Sequence, residues 1–195
     1  LSATPVRLDG KGLGDLFDDM IMGQTPAWLI DNGYLSHYKA YAPSKPNLKG
    51  VHTVAGDYNR EELGFVMDQG QIIGDMVRHW KQYADGLLTV FFAVSIKHSR
   101  NIAQSFNDAG IPALHLDASS SSQERAEACR RLAMREIKVI SNCDIFAEGF
   151  DVSSQAGMDV SIECVGLARP TQSLGLHLQQ IGRALRPSAG KINAI

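Results

Sequence analysis

The sequence predicts an α/β domain built on an open, mostly parallel sheet flanked by helices, and three observations carry that expectation. From about Leu87 onward, short apolar runs alternate with amphipathic stretches, as in βαβ units wound around a parallel sheet. The amphipathic stretches carry their own start and stop residues. With 195 residues, 44% of them hydrophobic, the chain suffices for one well-buried domain plus a short extension, burying roughly 70% of its unfolded surface.

The expected strands are Leu87–Val94, Ala113–Leu116, Lys138–Ser141, Val160–Val165 and Ile192–Ile195. A helix is expected over His98–Ala109, halted by Gly110 and Pro112. Ser121 and Glu124 have capping-box spacing, so a second helix starts at Ser121 and runs to about Arg135. A third, from about Gln172 to Leu185, follows Pro170 and Thr171 and stops at Pro187. Ahead of this region, helical patterns fall near Leu13–Met22, Pro26–Asn32, Arg60–Met67 and Ile72–Tyr83. Tyr34–Tyr41 alternates like a strand, and residues 43–47 read as a loop. The chain thus divides into residues 1–50, a helical lead-in over 51–86 and a main domain over 87–195.

Composition excludes several classes. A net charge of −2 and 21% charged residues describe an ordinary globular chain, so contact with nucleic acid has to be local rather than driven by overall charge. No window approaches the roughly 20 apolar residues of a bilayer helix, and no basic-then-apolar leader follows Leu1. Cys129, Cys143 and Cys164 are odd in number and lack CxxC spacing, favouring reduced thiols and a cytoplasmic setting. The six histidines show no metal-ligand spacing. Arg125, Arg130, Arg131 and Arg135, interleaved with Glu124 and Glu127, read as a solvated helix face.

The most informative stretch is Gln179-Gln180-Ile181-Gly182-Arg183-Ala184-Leu185-Arg186. On a helix, Gln179, Gly182, Arg183 and Arg186 share an arc of about 100°, and Leu174, Leu178, Ile181 and Leu185 form a separate apolar stripe of about 60°. Two guanidinium forks one turn apart suit the several oxygens of a polyphosphate, and Gly182 clears space for a close approach. A surface helix with two solvated arginines is the plain alternative.

This stretch resembles motif VI of superfamily 2 helicases, Q-x-x-G-R-x-x-R, and matches it at all four defining positions. Other motifs of that family follow in order. Ser2-Ala3-Thr4-Pro5, with Arg7, resembles motif III, which couples nucleotide state to grip on the strand. Phe91-Phe92-Ala93-Val94-Ser95 and His98 resemble motif IV, and Cys143 to Asp151 resembles motif V with its Gly-x-Asp end, Gly149 to Asp151. The resemblance covers Leu1 to Ile195 and is nearest to DEAD/DEAH-like proteins related to restriction-enzyme and excision-repair motors, with similar stretches at Gly33-Tyr34-Leu35 and Arg169-Pro170-Thr171. It implies a RecA-like second motor domain, with residues 1–50 ending the first domain and linking the two. It implies Arg183 and Arg186 as catalytic arginine fingers, with Gly149, Asp151, Gln179 and Gly182 at the nucleotide. Ser95, His98, Cys143 and Asp144 would lie on nucleic acid, DNA in preference to RNA, and Ser2, Ala3 and Thr4 would couple the two sites.

A phosphate-gripping loop needs G-x-x-x-x-G-K-[ST]. Lys11 is followed by Gly12 and Lys191 by Ile192, and no apolar run ends in Asp-Glu. The resemblance therefore implies that ATP and Mg2+ are held mainly by an N-terminal RecA-like domain of the same protein, upstream of Leu1. Cys143 stands where motif V usually has threonine, so its thiol is a weak donor to phosphate. Two rival readings stay open, a motor that pumps duplex DNA without separating it and a non-catalytic binding module on a helicase fold.

Overall fold

The computed structural model describes residues 12–14, 17–42, 45–146 and 150–195. Its centre is a parallel sheet of four strands, β3 (Thr89–Phe92), β4 (Ala113–Leu116), β5 (Val139–Asn142) and β6 (Cys164–Gly166), in the spatial order β4-β5-β3-β6. Two two-residue strands, β1 (Thr53–Val54) and β2 (Asp57–Tyr58), form a separate antiparallel hairpin. Helices α1 (Pro26–Asp31), α2 (Arg60–Met67) and α3 (Gly70–Tyr83) precede the sheet. Helices α4 (Ile96–Asp108), α5 (Ser122–Ala133), α6 (Val152–Ala156) and α7 (Leu174–Gly182) alternate with its strands. Among the described residues, no helix is long and apolar enough to cross a membrane.

Alternation along β3 decides how the layers form, because successive side chains of a strand point to opposite faces. Val90 and Phe92 join Leu116, Ile140, Cys129 and Leu132 in the core beneath α5 and α6. Phe91 joins Val139, Ala113 and the α3 and α4 residues Ile73, Val77, Trp80, Ile102 and Phe106 on the other face. Both faces of the sheet are covered, which is why its strands read as unbroken apolar runs. Phe106 is wholly buried, edge-on to Trp80 at 5.5 Å and tilted against Phe91 at 5.2 Å.

Local signals placed several elements closely. Ala113–Leu116 and Arg60–Met67 have their expected limits, and the Ser121–Glu124 capping box is fully made. Other expectations are corrected. The helix expected over Leu13–Met22 does not form in its described residues, where Phe17, Met20, Ile21 and Met22 are all exposed. An isolated short helix with no apolar partner is marginal in water. The Tyr34–Tyr41 and Ile192–Ile195 strands shrink to a single parallel bridge, Tyr38 to Ala194. That bridge still extends the sheet. Ala194 N–H donates to His37 O at 2.7 Å, and Val165 N–H donates to Ile195 O at 2.7 Å, so the last residues lie between β6 and the lead-in.

The final helix departs most from expectation. It ends at Gly182, with Arg183 as its C-cap, rather than at Leu185. Leu174 and Leu178 are exposed, and the face that packs inward carries Gly175, Gln180 and the following Ala184. Periodicity groups apolar residues on one side of a helix, but it does not say which side meets this domain's own core.

Candidate nucleotide and strand-binding site

Parallel strands deliver their C-terminal ends to one edge of the sheet, where α/β proteins bind ligands. Phe92, Leu116 and Asn142 are in mutual register there, and the loops beyond them begin with Ala93, Asp117 and Cys143. Two clusters of charge form along this side of the domain.

The first joins the end of α7 to the start of α6. Asp151 caps α6 by accepting from Ser153 N–H at 3.1 Å, and its Oδ1 also accepts from Arg186 Nη1 at 2.9 Å. Arg183 Nη1 donates to Phe150 O at 2.5 Å. Burial would raise the Asp151 carboxyl, but the hydrogen bond and charge of Arg186 hold it below its ordinary value. Arg183 is shifted down, first by burial and then by the positive charge of Arg186, against the pull of Asp151. The guanidiniums therefore sit close enough to repel one another across a shallow depression of about 70 Å³ lined by Phe150, Asp151, Ser161, Gly182, Arg183 and Arg186. Two guanidiniums at an open recess, one of them bridged to Asp151, are groups of the kind that bind the oxygens of an anion. Gly182 is exposed, and a Cβ added there meets nothing within 4 Å, so among the described residues no neighbour demands glycine. Gln179, expected on the same arc, instead lines a second recess with Asp144 and Arg169.

The second cluster lies at the β3 and β5 ends. Asp144, in the left-handed region with φ 60°, accepts from Arg60 Nη2 at 2.5 Å and Arg169 Nη1 at 2.9 Å. Arg60 also reaches Val94 O, and Arg169 lies 3.7 Å from the Asp57 carboxylate. The Asp144 carboxylate is therefore committed to arginines, and an anion would repel phosphate. What it does is hold Arg60 and Arg169 beside the loop after β5. Neither arginine was expected among the site residues; Arg169 stands in the family-like stretch Arg169-Pro170-Thr171, whereas no local pattern marks Arg60.

Other expected strand-contacting residues are placed differently. Ser95 is half-buried and caps α4, its Oγ accepting from His98 N–H at 3.1 Å. His98 is wholly buried, 0% exposed, so the expected direct contact with a nucleic-acid backbone is not available to its ring. Its Nδ1 accepts from Val94 N–H at 3.3 Å, fixing the turn from β3 into α4. Cys143 is also buried, its Sγ pointing toward Val94 O at 4.0 Å, and burial raises the thiol above its ordinary value. The Cys143 side chain thus packs inside the loop rather than facing a strand. Ser2, Ala3, Thr4 and Gly149 lie outside the described residues.

Burial lowers the His98 pKa from 6.5 to about 4, with Asp68 pulling the other way. An unfolded chain protonates this ring below about pH 6.5 and the folded chain only near pH 4, so unfolding takes up a proton in between and stability falls with pH across that window. Denaturant unfolding between pH 7 and 4 is expected to show about one proton taken up that His98→Gln lacks. Identical pH slopes in the two proteins contradict this placement.

A serine, a histidine and a carboxylate also line up elsewhere. His115 Nδ1 lies 2.7 Å from Ser99 Oγ, and its Nε2 lies 2.9 Å from Asp117 Oδ2. Ser99 is 0% exposed and also contacts Ser141 Oγ at 2.8 Å, so no substrate reaches its hydroxyl. The row ties β4 and β5 to α4; it is not a hydrolase triad.

Residues 71–188 match the family model described as the helicase conserved C-terminal domain, which is more than half of the chain. The chain belongs to that family. It is a superfamily 2 helicase C-terminal domain with a RecA-like sheet. A "51.5 kDa protein" of Lactococcus phage (isolate 7-9) is 36% identical over 185 residues, 95% of this chain and 39% of that protein. "Putative ATP-dependent helicase IRC3" of Saccharomyces cerevisiae is 29% identical over 189 residues, 95% of this chain and 26% of that protein. The chain therefore spans well under half the length of these relatives. Among solved structures, the Escherichia coli DEAD-box protein SrmB, bound to regulator of ribonuclease activity A, superposes with TM-score 0.50 at 23% identity, covering 63% of this chain and 66% of that one. The C-terminal part of the Fun30 ATPase domain superposes with TM-score 0.51 at 13% identity, covering 70% of this chain and 41% of that one. Both likenesses concern the fold.

Proposed function

We propose that this domain is the second motor domain of an ATP-dependent nucleic-acid helicase or translocase, supplying arginine fingers and strand contacts to a site completed by a first RecA-like domain. The observation that carries the reading is the convergence of Arg183, Arg186 and Asp151 on one open recess. Two always-charged forks there fit the polyphosphate of ATP, and in phosphoryl transfer such groups neutralise charge that builds up on the transferred oxygens. Asp151, with Gly182 leaving room beside it, fits a contact to the nucleotide's sugar, and Gln179, in the adjoining recess, links that region to the strand side. The carboxylates do not fit Mg2+. Asp144 and Asp151 are each paired with arginine, and among the described residues no group of three His, Cys, Asp or Glu side chains is arranged to hold a metal ion. The ion and the phosphate grip are assigned to the first domain.

The strand-binding role is assigned to the β3 and β5 loops, where Arg60 and Arg169, oriented by Asp144, supply N–H donors and the Ser95 and Asp144 turns supply shape. Contacts of this type ignore base sequence and weaken with salt. The resemblance to restriction-enzyme and excision-repair motors favours DNA over RNA, and unwinding over pumping of intact duplex is decided by strand displacement measured against triplex displacement.

The purified 195-residue domain is expected to show no nucleic-acid-stimulated ATP hydrolysis, whereas the full-length protein hydrolyses ATP in response to single strands. Appreciable stimulated hydrolysis by the isolated domain sinks the division of labour. A full-length protein without any such activity favours the non-catalytic module.

A further inference from the structure

Beyond Gly182 the chain leaves the helix, and the second finger arginine stands on a short irregular segment, residues 183–186, that ends at Pro187. A guanidinium expected to reach across a domain interface needs a fixed base, and past Gly182 the helix tapers into i→i−3 turn bonds, Ala184 N–H to Ile181 O at 3.0 Å and Leu185 N–H to Gly182 O at 3.2 Å. The carbonyl groups of this segment are held by donors brought from elsewhere in the chain. Arg186 O accepts from Lys191 Nζ at 2.8 Å, from Ser161 Oγ at 2.9 Å and from Ser36 Oγ at 3.3 Å. Leu185 O accepts from Ser36 N–H at 2.8 Å. Lys191 Nζ also donates to Ala184 O, to Ile162 O at 2.8 Å and to Ser161 Oγ at 3.1 Å.

We infer that Lys191 is a positioning residue for the Arg186 finger, its ammonium clamping the segment after α7 against the stretch at Ser161 and Ile162 that leads into β6. This rests on the reading of Arg186 as a finger and extends it to a residue outside the helicase motifs.

Three features of Lys191 support the assignment. It is half-buried, and among the described residues its bonded partners are carbonyl and hydroxyl oxygens rather than a carboxylate. Burying a cation without a counter-ion is costly, and burial draws its pKa from 10.5 down to about 8, with Glu163 pulling the other way. An ammonium nonetheless suits the position because it is the one compact side chain that offers three donors at a single point, one of them shared between two of its four acceptors. Its bonds join backbone on both sides of the recess, at Ile162 and at Ala184 and Arg186, so its loss loosens the segment that carries Arg186, leaving Ser161 and Ser36 as its remaining donors, without touching the guanidinium or its partner Asp151. Ser161 acts in the same clamp, accepting from Lys191 and donating to Arg186 O.

The test uses the full-length protein and a double-mutant cycle. Lys191→Met is expected to lower kcat for nucleic-acid-stimulated ATP hydrolysis about tenfold or more, as loss of charge-assisted hydrogen bonds does. KM for ATP and affinity for single strand without nucleotide are expected to change less than about twofold. In an Arg186→Ala background, the same substitution is expected to change the residual turnover less than about twofold, because coupled residues are not additive. Ser161→Ala keeps the ammonium and removes one donor, so it is expected to lower kcat by a smaller factor that also vanishes beside Arg186→Ala. If Lys191→Met does not fold, Ser161→Ala decides alone. Equal factors in both backgrounds, or unchanged kcat in both single variants, overturn the inference. An Arg186→Ala protein as active as its parent overturns the functional reading instead.

Discussion

Arg186→Ala in the full-length protein is expected to cut ATP turnover by about a thousandfold or more while leaving the domain folded. The two halves of that expectation have different physical origins. Arg186 is largely exposed, and its side-chain ion pair with Asp151 lies at the surface, with the partners 54% and 42% exposed. Pairs of that kind contribute about 0–1 kcal/mol, so melting should change little. On the proposed reading, its catalytic effect would come from placing a delocalised cation where negative charge develops, in a site that a first motor domain would shield from water. Arg186→Lys keeps the charge but loses the two-pronged geometry, and turnover is expected to fall between the two extremes. Arg183→Ala is less clean, because Arg183 is half-buried and bonded to Phe150 O, so its loss disturbs the neighbouring loop as well. Steady-state ATP hydrolysis and thermal melting, measured on one preparation, separate catalysis from folding. Unchanged turnover in Arg186→Ala sinks the finger assignment.

What was legible in the sequence followed from short-range physics. Strand β4 and helix α2 have the expected limits, and the Ser121–Glu124 cap is made, because each depends on a few consecutive residues. The parallel sheet was legible for the same reason, since strands covered on both faces must read as apolar runs. What was not legible depends on residues far apart in the chain. Arg60 meets Asp144 across 84 positions, and Ser36 meets Arg186 across 150, and nothing in the local sequence announces either pairing. The motif pattern set His98 and Cys143 on the strand-facing surface, whereas their side chains turn inward to fix backbone. A motif records which residues stand together at a site, not which of them face the ligand. Leu174 and Leu178 show the converse, being apolar at helical spacing yet turned away from this domain's core.

Gly166→Ala should produce the largest loss of stability for the smallest chemical change in the domain. Gly166 lies in β6 directly opposite Phe91 of β3. A Cβ built there falls 2.2 Å from Phe91 Cδ1 and Cε1 and 2.7 Å from Cγ, far inside van der Waals contact. The ring has little room to move away, because Phe91 is 5% exposed and packs against the wholly buried Phe106 at 5.2 Å. Either β6 separates from β3 or the aromatic cluster with Trp80 is disrupted, and both disturb packing that joins α3 and α4 to the sheet. Overpacking of this kind costs roughly 3 kcal/mol, which for a domain of this size lowers Tm by about 6–12 °C. The cause is testable separately from the size of the effect. Phe91→Leu removes most of the obstructing ring, so adding Gly166→Ala to it should cost markedly less than adding Gly166→Ala to the parent. Equal costs in the two backgrounds would show that the glycine is needed for some reason other than the ring that lies over it.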